Sequence, residues 1–167
     1  MYRTIDDFAR EWREERSHTL KMLRQLTDAS LAQGITPRDR TLGRIGWHLV
    51  GTMTEMMGKV GIPLHGPDEQ TPPPSRAADI ADAYERVSSE LLDAIPASWK
   101  DDTLRQEDEM YGERWTRAFT LTVLVMHQTH HRGQMTVLMR QAGLTVPGVY
   151  GPAREEWAQW GMPEPAV

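Results

Sequence analysis

Apolar residues recur at three- and four-residue steps in four long stretches, each bounded by recognisable punctuation. Ile5, Phe8, Trp12, Leu20, Leu23 and Leu26 follow Thr4, which has Asp7 three residues on, and predict a first helix over residues 5–31 with Thr4 as its N-cap. Gly34 and Pro37 interrupt the pattern. Leu42, Ile45, Leu49, Met53, Met56 and Val60 then form one stripe over residues 41–60 before Gly61 and Pro63 stop it. Residues 66–74 hold three consecutive prolines and acidic side chains, which predicts an exposed connection ending at Ser75 as the next N-cap. A third helix runs through Ile80, Tyr84, Val87, Leu91 and Ile95 to Pro96.

From 96 to about 115 the chain is polar and mixed, long for a connection in a compact bundle, and reads either as a functional loop or as a short element of its own. Residues 116–142 are apolar nearly all round, the mark of a helix buried by several neighbours, and Gly143 is its stop. A turn-rich strap over 146–152 leads to a short helix through Trp157 and Trp160, expected to pack the tail on the bundle. There is no internal repeat and no convincing strand. The pattern predicts an all-α four-helix bundle with a short C-terminal helix, one domain over residues 1–167.

Composition narrows the chemistry. With no cysteine the chain has no disulfide, no thiolate nucleophile and no sulfur-ligated metal, so any ion must be held by imidazole or carboxylate. The net charge of −5 comes without a Lys/Arg block, which weighs against a nucleic-acid partner. The N-terminus lacks a secretory pattern and no apolar run is long enough to span a membrane, so a cytoplasmic location without membrane attachment is expected.

Three of the six histidines fall within His127-Gln128-Thr129-His130-His131. At about 100° per residue, His127 and His131 lie roughly 40° apart around a helix axis and one turn apart along it, so both imidazoles can meet one ion. His130 points elsewhere. Leu138 and Val123 share the face of the pair, which therefore looks inward, where unpartnered imidazoles are costly. His48, at the edge of the second stripe, is a third ligand by this reading, with His18 and His65 as competitors that spacing does not exclude. Three imidazoles without a fourth protein ligand leave coordination positions open, as in catalytic sites. Glu55, about two turns along from His48, reads as a group behind the ligands or an acid/base residue. A zinc-protease reading fails, because Gln128 stands where that signature needs a glutamate.

The run His127-Gln128-Thr129-His130-His131-Arg132-Gly133-Gln134, with Leu138 to Gly143, Pro147 to Pro152 and Trp47-His48-Leu49, resembles the DinB/YfiT family. The likeness in helix order spans nearly the whole chain, while the HxxxHHRGQ segment is the specific part. The resemblance implies an up-up-down-down bundle with a divalent metal ion, zinc or nickel, bound by His48, His127 and His131. It also implies homodimers. Characterised members of that family are thiol-dependent S-transferases and isomerases that use bacillithiol, mycothiol or glutathione. The function implied is a metal-dependent thiol S-transferase acting on a small-molecule substrate with a low-molecular-weight thiol cosubstrate. The alternative is a non-catalytic metal-binding stress-response protein of the same fold.

Other side chains read as structure. Met53, Met56 and Met57 are expected to fill the core or a dimer face. His130 and Arg132 are expected to be partly exposed, with Arg132 a candidate for an ion pair or a contact to an anionic substrate.

Overall fold

The computed structural model describes residues 1–167 apart from Glu69, Pro165 and Val167. Helices α1 (Ile5–Leu23), α2 (Leu42–Lys59), α3 (Ala77–Ser98) and α4 (Arg117–Gln141) form a bundle, with a two-stranded hairpin between α3 and α4. Its core is made by the predicted stripes: Phe8 and Trp12 of α1, Leu49, Met53 and Met57 of α2, Tyr84 and Leu91 of α3, and Leu121 and Met135 of α4 are buried. The methionines of α2 therefore fill the interior and present no dimer face. The Trp12 indole donates to the Ser88 carbonyl at 3.0 Å, so its one polar atom is satisfied inside.

Thr4 caps α1 as expected, accepting the Asp7 N–H. The helix ends at Leu23, well short of residue 31. Thr27 and Ser30 cap each other reciprocally and start a separate 3-10 turn, Asp28–Ala32, while Leu26 stays buried and so prolongs the apolar period beyond the true end. That turn also moves a predicted cap. The N-cap of α3 is Arg76, without a side-chain cap bond, and the carboxylate of Asp28 accepts the Ala77 N–H at 2.8 Å where Ser75 was expected to act. At the far end α3 passes through Pro96 and closes at Trp99, whose N–H reaches the Ile95 carbonyl at 2.8 Å.

The helix directions differ from the up-up-down-down order that the resemblance implies. Arg24 pairs with Glu85 and the Ile5 N–H reaches Asp101, so α3 runs antiparallel to α1. Glu15 meets Thr129 and Arg132 while Lys21 reaches Gly148 beyond the helix, so α4 runs parallel to α1. His48 faces His127, and Thr52, Glu55 and Met56 share a cavity with Val123, so α2 runs opposite to α4. The order is up-down-down-up. Parallel α2 and α3 need a return crossover as long as a helix, and the proline-rich segment supplies it. Thr71 accepts from Arg44 at 2.8 Å and Trp47 at 3.1 Å, and a Cβ on Gly66 would stand 2.4 Å from Thr54 Oγ1. The segment is thus half-buried along α2, with Asp68, Gln70 and Pro72 exposed as expected of a connection.

The undecided stretch before α4 contains a 3-10 turn, Asp101–Arg105, and antiparallel strands β1 (Glu107–Met110) and β2 (Glu113–Thr116). Tyr111 and Gly112 both have positive φ, 56° and 84°, as a two-residue hairpin turn demands. Helix α4 is not sealed all round: Phe119, Met126 and Val137, seven and eleven residues apart, lie on one exposed line. The C-terminal helix is a 3-10 segment, Arg154–Trp160, in which Trp157 is half-buried and Trp160 is 68 % exposed. The tail is fixed instead by ion pairs of Arg140 with Glu155 and Lys21 with Glu156, and by Tyr150. No helix among the described residues is long and apolar enough to cross a membrane.

Candidate metal centre

Antiparallel packing of α2 on α4 sets His48 opposite the i, i+4 pair His127 and His131. The Nε2 atom of His127 lies 3.2 Å from Nε2 of His48 and 3.1 Å from Nε2 of His131, and the three nitrogens all fall within 4.8 Å of one another. Donors of a tetrahedral ion with metal–nitrogen bonds near 2.0–2.1 Å are separated by about 3.3 Å. Three imidazoles are thus positioned to hold a metal ion.

Protonation agrees with that fit. Burial pushes His48 down to about 3 and His127 down to about 4, with the positive charge of Arg40 acting in the same direction on both. Burial also lowers His131. The rings are therefore neutral at ordinary pH, the form that ligates metals. His131 Nδ1 lies 2.7 Å from Gln134 Oε1, an acceptor, so that nitrogen carries the proton and Nε2 keeps its lone pair toward the cluster. Three neutral imidazole edges crowded within hydrogen-bond distance, in a partly buried site, have more lone pairs than protons to share. A cation resolves that conflict.

Surrounding groups hold the two ligand helices in register. Gln128, fully buried, donates to the Leu49 carbonyl at 3.2 Å and accepts from the Tyr84 hydroxyl at 3.1 Å. His18 and His65 are accounted for elsewhere. His18 packs edge-on to Tyr150 near Glu15, and His65 pairs with Glu90 at 2.6 Å on the surface. His130 is exposed and meets Gln134 Nε2 at 3.1 Å.

Arg132 makes the ion pair expected of it, but buried where partial exposure was expected. It is 3 % exposed and donates to the Glu15 carboxylate, to the Glu15 carbonyl at 3.1 Å, to Thr19 at 2.9 Å, and to the Tyr150 hydroxyl. Its charge is used inside the bundle.

Two cavities flank the imidazoles. One, about 550 Å³, has His131, His130, Gln134, Ile35, Arg38 and Arg40 in its wall. The other, about 270 Å³ and largely apolar, lies against His48 and His127 and is lined by Thr52, Met56, Val123 and Tyr111. Glu55 lines this second cavity. Its carboxylate accepts the Tyr111 hydroxyl at 2.9 Å, with Lys59 Nζ 4.0 Å away. Sequence reasoning missed Tyr111, because Tyr-Gly is not one of the usual hairpin-turn pairs and the flanking runs EDEM and ERWT hardly alternate.

The model of the DinB family matches residues 1–162. The chain belongs to the DinB family. Among its relatives is the uncharacterized protein YrdA of Bacillus subtilis (strain 168), 45% identical over 167 residues, with 100% of both chains covered. A crystal structure of a DinB-like protein from Bacillus cereus ATCC 10987 superposes with a TM-score of 0.86 at 44% identity, over 90% of this chain and 100% of that one. A second DinB-like protein, YjoA of Bacillus subtilis, matches at a TM-score of 0.66 and 15% identity over 88% of this chain and 99% of the other, a likeness of fold alone. The bundle is thus the frame shared with these structures, and in this chain it carries the three-histidine cluster.

Proposed function

We propose that this chain is a divalent-metal-dependent thiol S-transferase whose ion, zinc or nickel, is held by His48, His127 and His131. The convergence of three Nε2 atoms between two cavities carries the reading, because it leaves an ion reachable from two sides. A bound divalent cation supplies the ability to lower the pKa of a coordinated thiol, giving a nucleophile at neutral pH.

The residues of the chain do the rest. Gln134 fixes the tautomer of His131, and Gln128 keeps α2 and α4 in register. Glu55, the carboxylate of the smaller cavity beside His48 and His127, accepts the thiol proton as the sulfur reaches the cluster. The apolar walls formed by Met56 and Val123 exclude water from the electrophile. In the transfer, sulfur bonds to the electrophilic carbon and the leaving group departs with the electron pair of its broken bond. The chain has no cysteine, so the thiol comes from solution.

The test is turnover of a chromogenic chloronitrobenzene with glutathione, bacillithiol and mycothiol by zinc- or nickel-loaded protein, alongside His48→Ala, His127→Ala, His131→Ala and Glu55→Gln. Turnover in the parent, lost with any histidine and slowed in Glu55→Gln, is the expected result. Full turnover in both His127→Ala and His131→Ala overturns the proposal.

A further inference from the structure

The two cavities beside the imidazoles differ in charge. The smaller is walled by apolar side chains and the neutral edges of His48 and His127, apart from Glu55, which is already engaged by Tyr111. The larger brings together Arg38, Asp39 and Arg40 from the connection between the first 3-10 turn and α2. Asp39 is occupied by the Thr36 hydroxyl at 2.7 Å. Among the described residues neither guanidinium has an ion-pair or hydrogen-bond partner, whereas Arg117, Arg132 and Arg140 are all ion-paired. In a chain of net charge −5, two arginines against the single carboxylate of Asp39, in a cavity that borders His131, are a local inversion of sign.

We infer that the larger cavity binds the carboxylate end of an anionic thiol, with Arg38 and Arg40 as its docking groups and the sulfur directed past His131 toward the histidine cluster. Guanidinium groups match carboxylates with paired N–H donors, and 550 Å³ lies within the range of small-molecule sites. The smaller, apolar cavity is left for the electrophile. This assignment rests on the thiol-transfer reading for the sulfur, but the anion site stands on the arginines alone, and the experiment separates the two.

Cobalt-loaded protein is titrated with 3-mercaptopropionate and with 2-mercaptoethanol, following the thiolate-to-cobalt absorption band, and metal-free protein is titrated with succinate by calorimetry. The variants are the double substitution Arg38→Ala with Arg40→Ala, and Arg13→Ala, an exposed α1 residue, as a control of equal charge change per site. Unchanged thermal unfolding verifies that the double variant folds. The parent should bind the anionic thiol about tenfold or more tightly than the neutral one, and the double variant should lose that preference while Arg13→Ala keeps it. Equal affinity for the two thiols in the parent, or a preference that survives in the double variant, overturns the anion site and leaves thiol binding intact. If neither thiol raises the band, the thiol reading fails. Succinate binding to the parent that disappears in the double variant then still upholds the anion site, and its absence from the parent overturns it.

Discussion

The side-chain amide of Gln128 donates to the backbone carbonyl of Leu49, and each of these residues directly follows a histidine of the cluster, His127 and His48. The bond ties the two ligand-bearing helices together one residue from the point where their imidazoles meet. Replacing Gln128 by Leu takes the acceptor from the buried Tyr84 hydroxyl and the inter-helix donor from the Leu49 carbonyl. The expected loss is about 1–3 kcal/mol in urea unfolding. Zinc affinity should also fall by roughly tenfold or more, because groups behind the ligands set their geometry. A stability loss with unchanged zinc affinity in competition titrations would show that Gln128 holds the helices without aligning the ligands.

Arg132 and Glu15 form a buried pair, with the Tyr150 hydroxyl donating to Glu15 at 2.8 Å. Arg132→Met leaves a buried carboxylate alone and should destabilise by about 3–5 kcal/mol. Adding Glu15→Gln removes that unpaired charge, so the double variant should be more stable than Arg132→Met. Denaturant midpoints decide the point, and simple additivity would contradict the pairing.

Acid should weaken the metal-free protein through its histidines. His48 and His127 have folded-state pKa values of about 3 and about 4, against an ordinary value of 6.5 that the unfolded chain retains. Below 6.5 the unfolded state binds more protons, so stability is fully present above that pH and declines as pH falls toward the folded values. Melting temperature should drop between about pH 6.5 and 5, before most carboxylates titrate, and the slope should flatten in His48→Asn with His127→Asn. A flat profile in the parent over that interval contradicts the burial of neutral imidazoles.

The crossover after α2 can be tested at Gly66. A Cβ there would come within 2.4 Å of Thr54 Oγ1 and 3.0 Å of Val87 Cγ2, so Gly66→Ala should cost about 1–3 kcal/mol in thermal or urea unfolding. No change would mean that the return segment yields easily and does not clamp α2 to α3.

Periodicity revealed the four helices because each buries one stripe, and the i, i+4 spacing of His127 and His131 made half of the cluster legible without any fold. His48 was a weaker reading, since only the antiparallel placement of α2 excludes His18 and His65. Arg132 looked solvent-facing because its partner Glu15 lies 117 residues away, beyond any local pattern. The direction of α2 was equally hidden: a stripe of apolar residues has no sense of up or down. Tyr111 was missed because strands of four residues carry little alternation.

The latch between Glu15 and Tyr150 also bears on biosynthesis. These residues are 135 positions apart, so at roughly 5–20 residues per second a nascent chain carries Glu15 without its partners for about 7 to 27 s. Helix α1 cannot complete the burial of that carboxylate until Arg132 and Tyr150 emerge. The first helix therefore waits on a strap made long after it, and closure of the bundle follows synthesis of that strap.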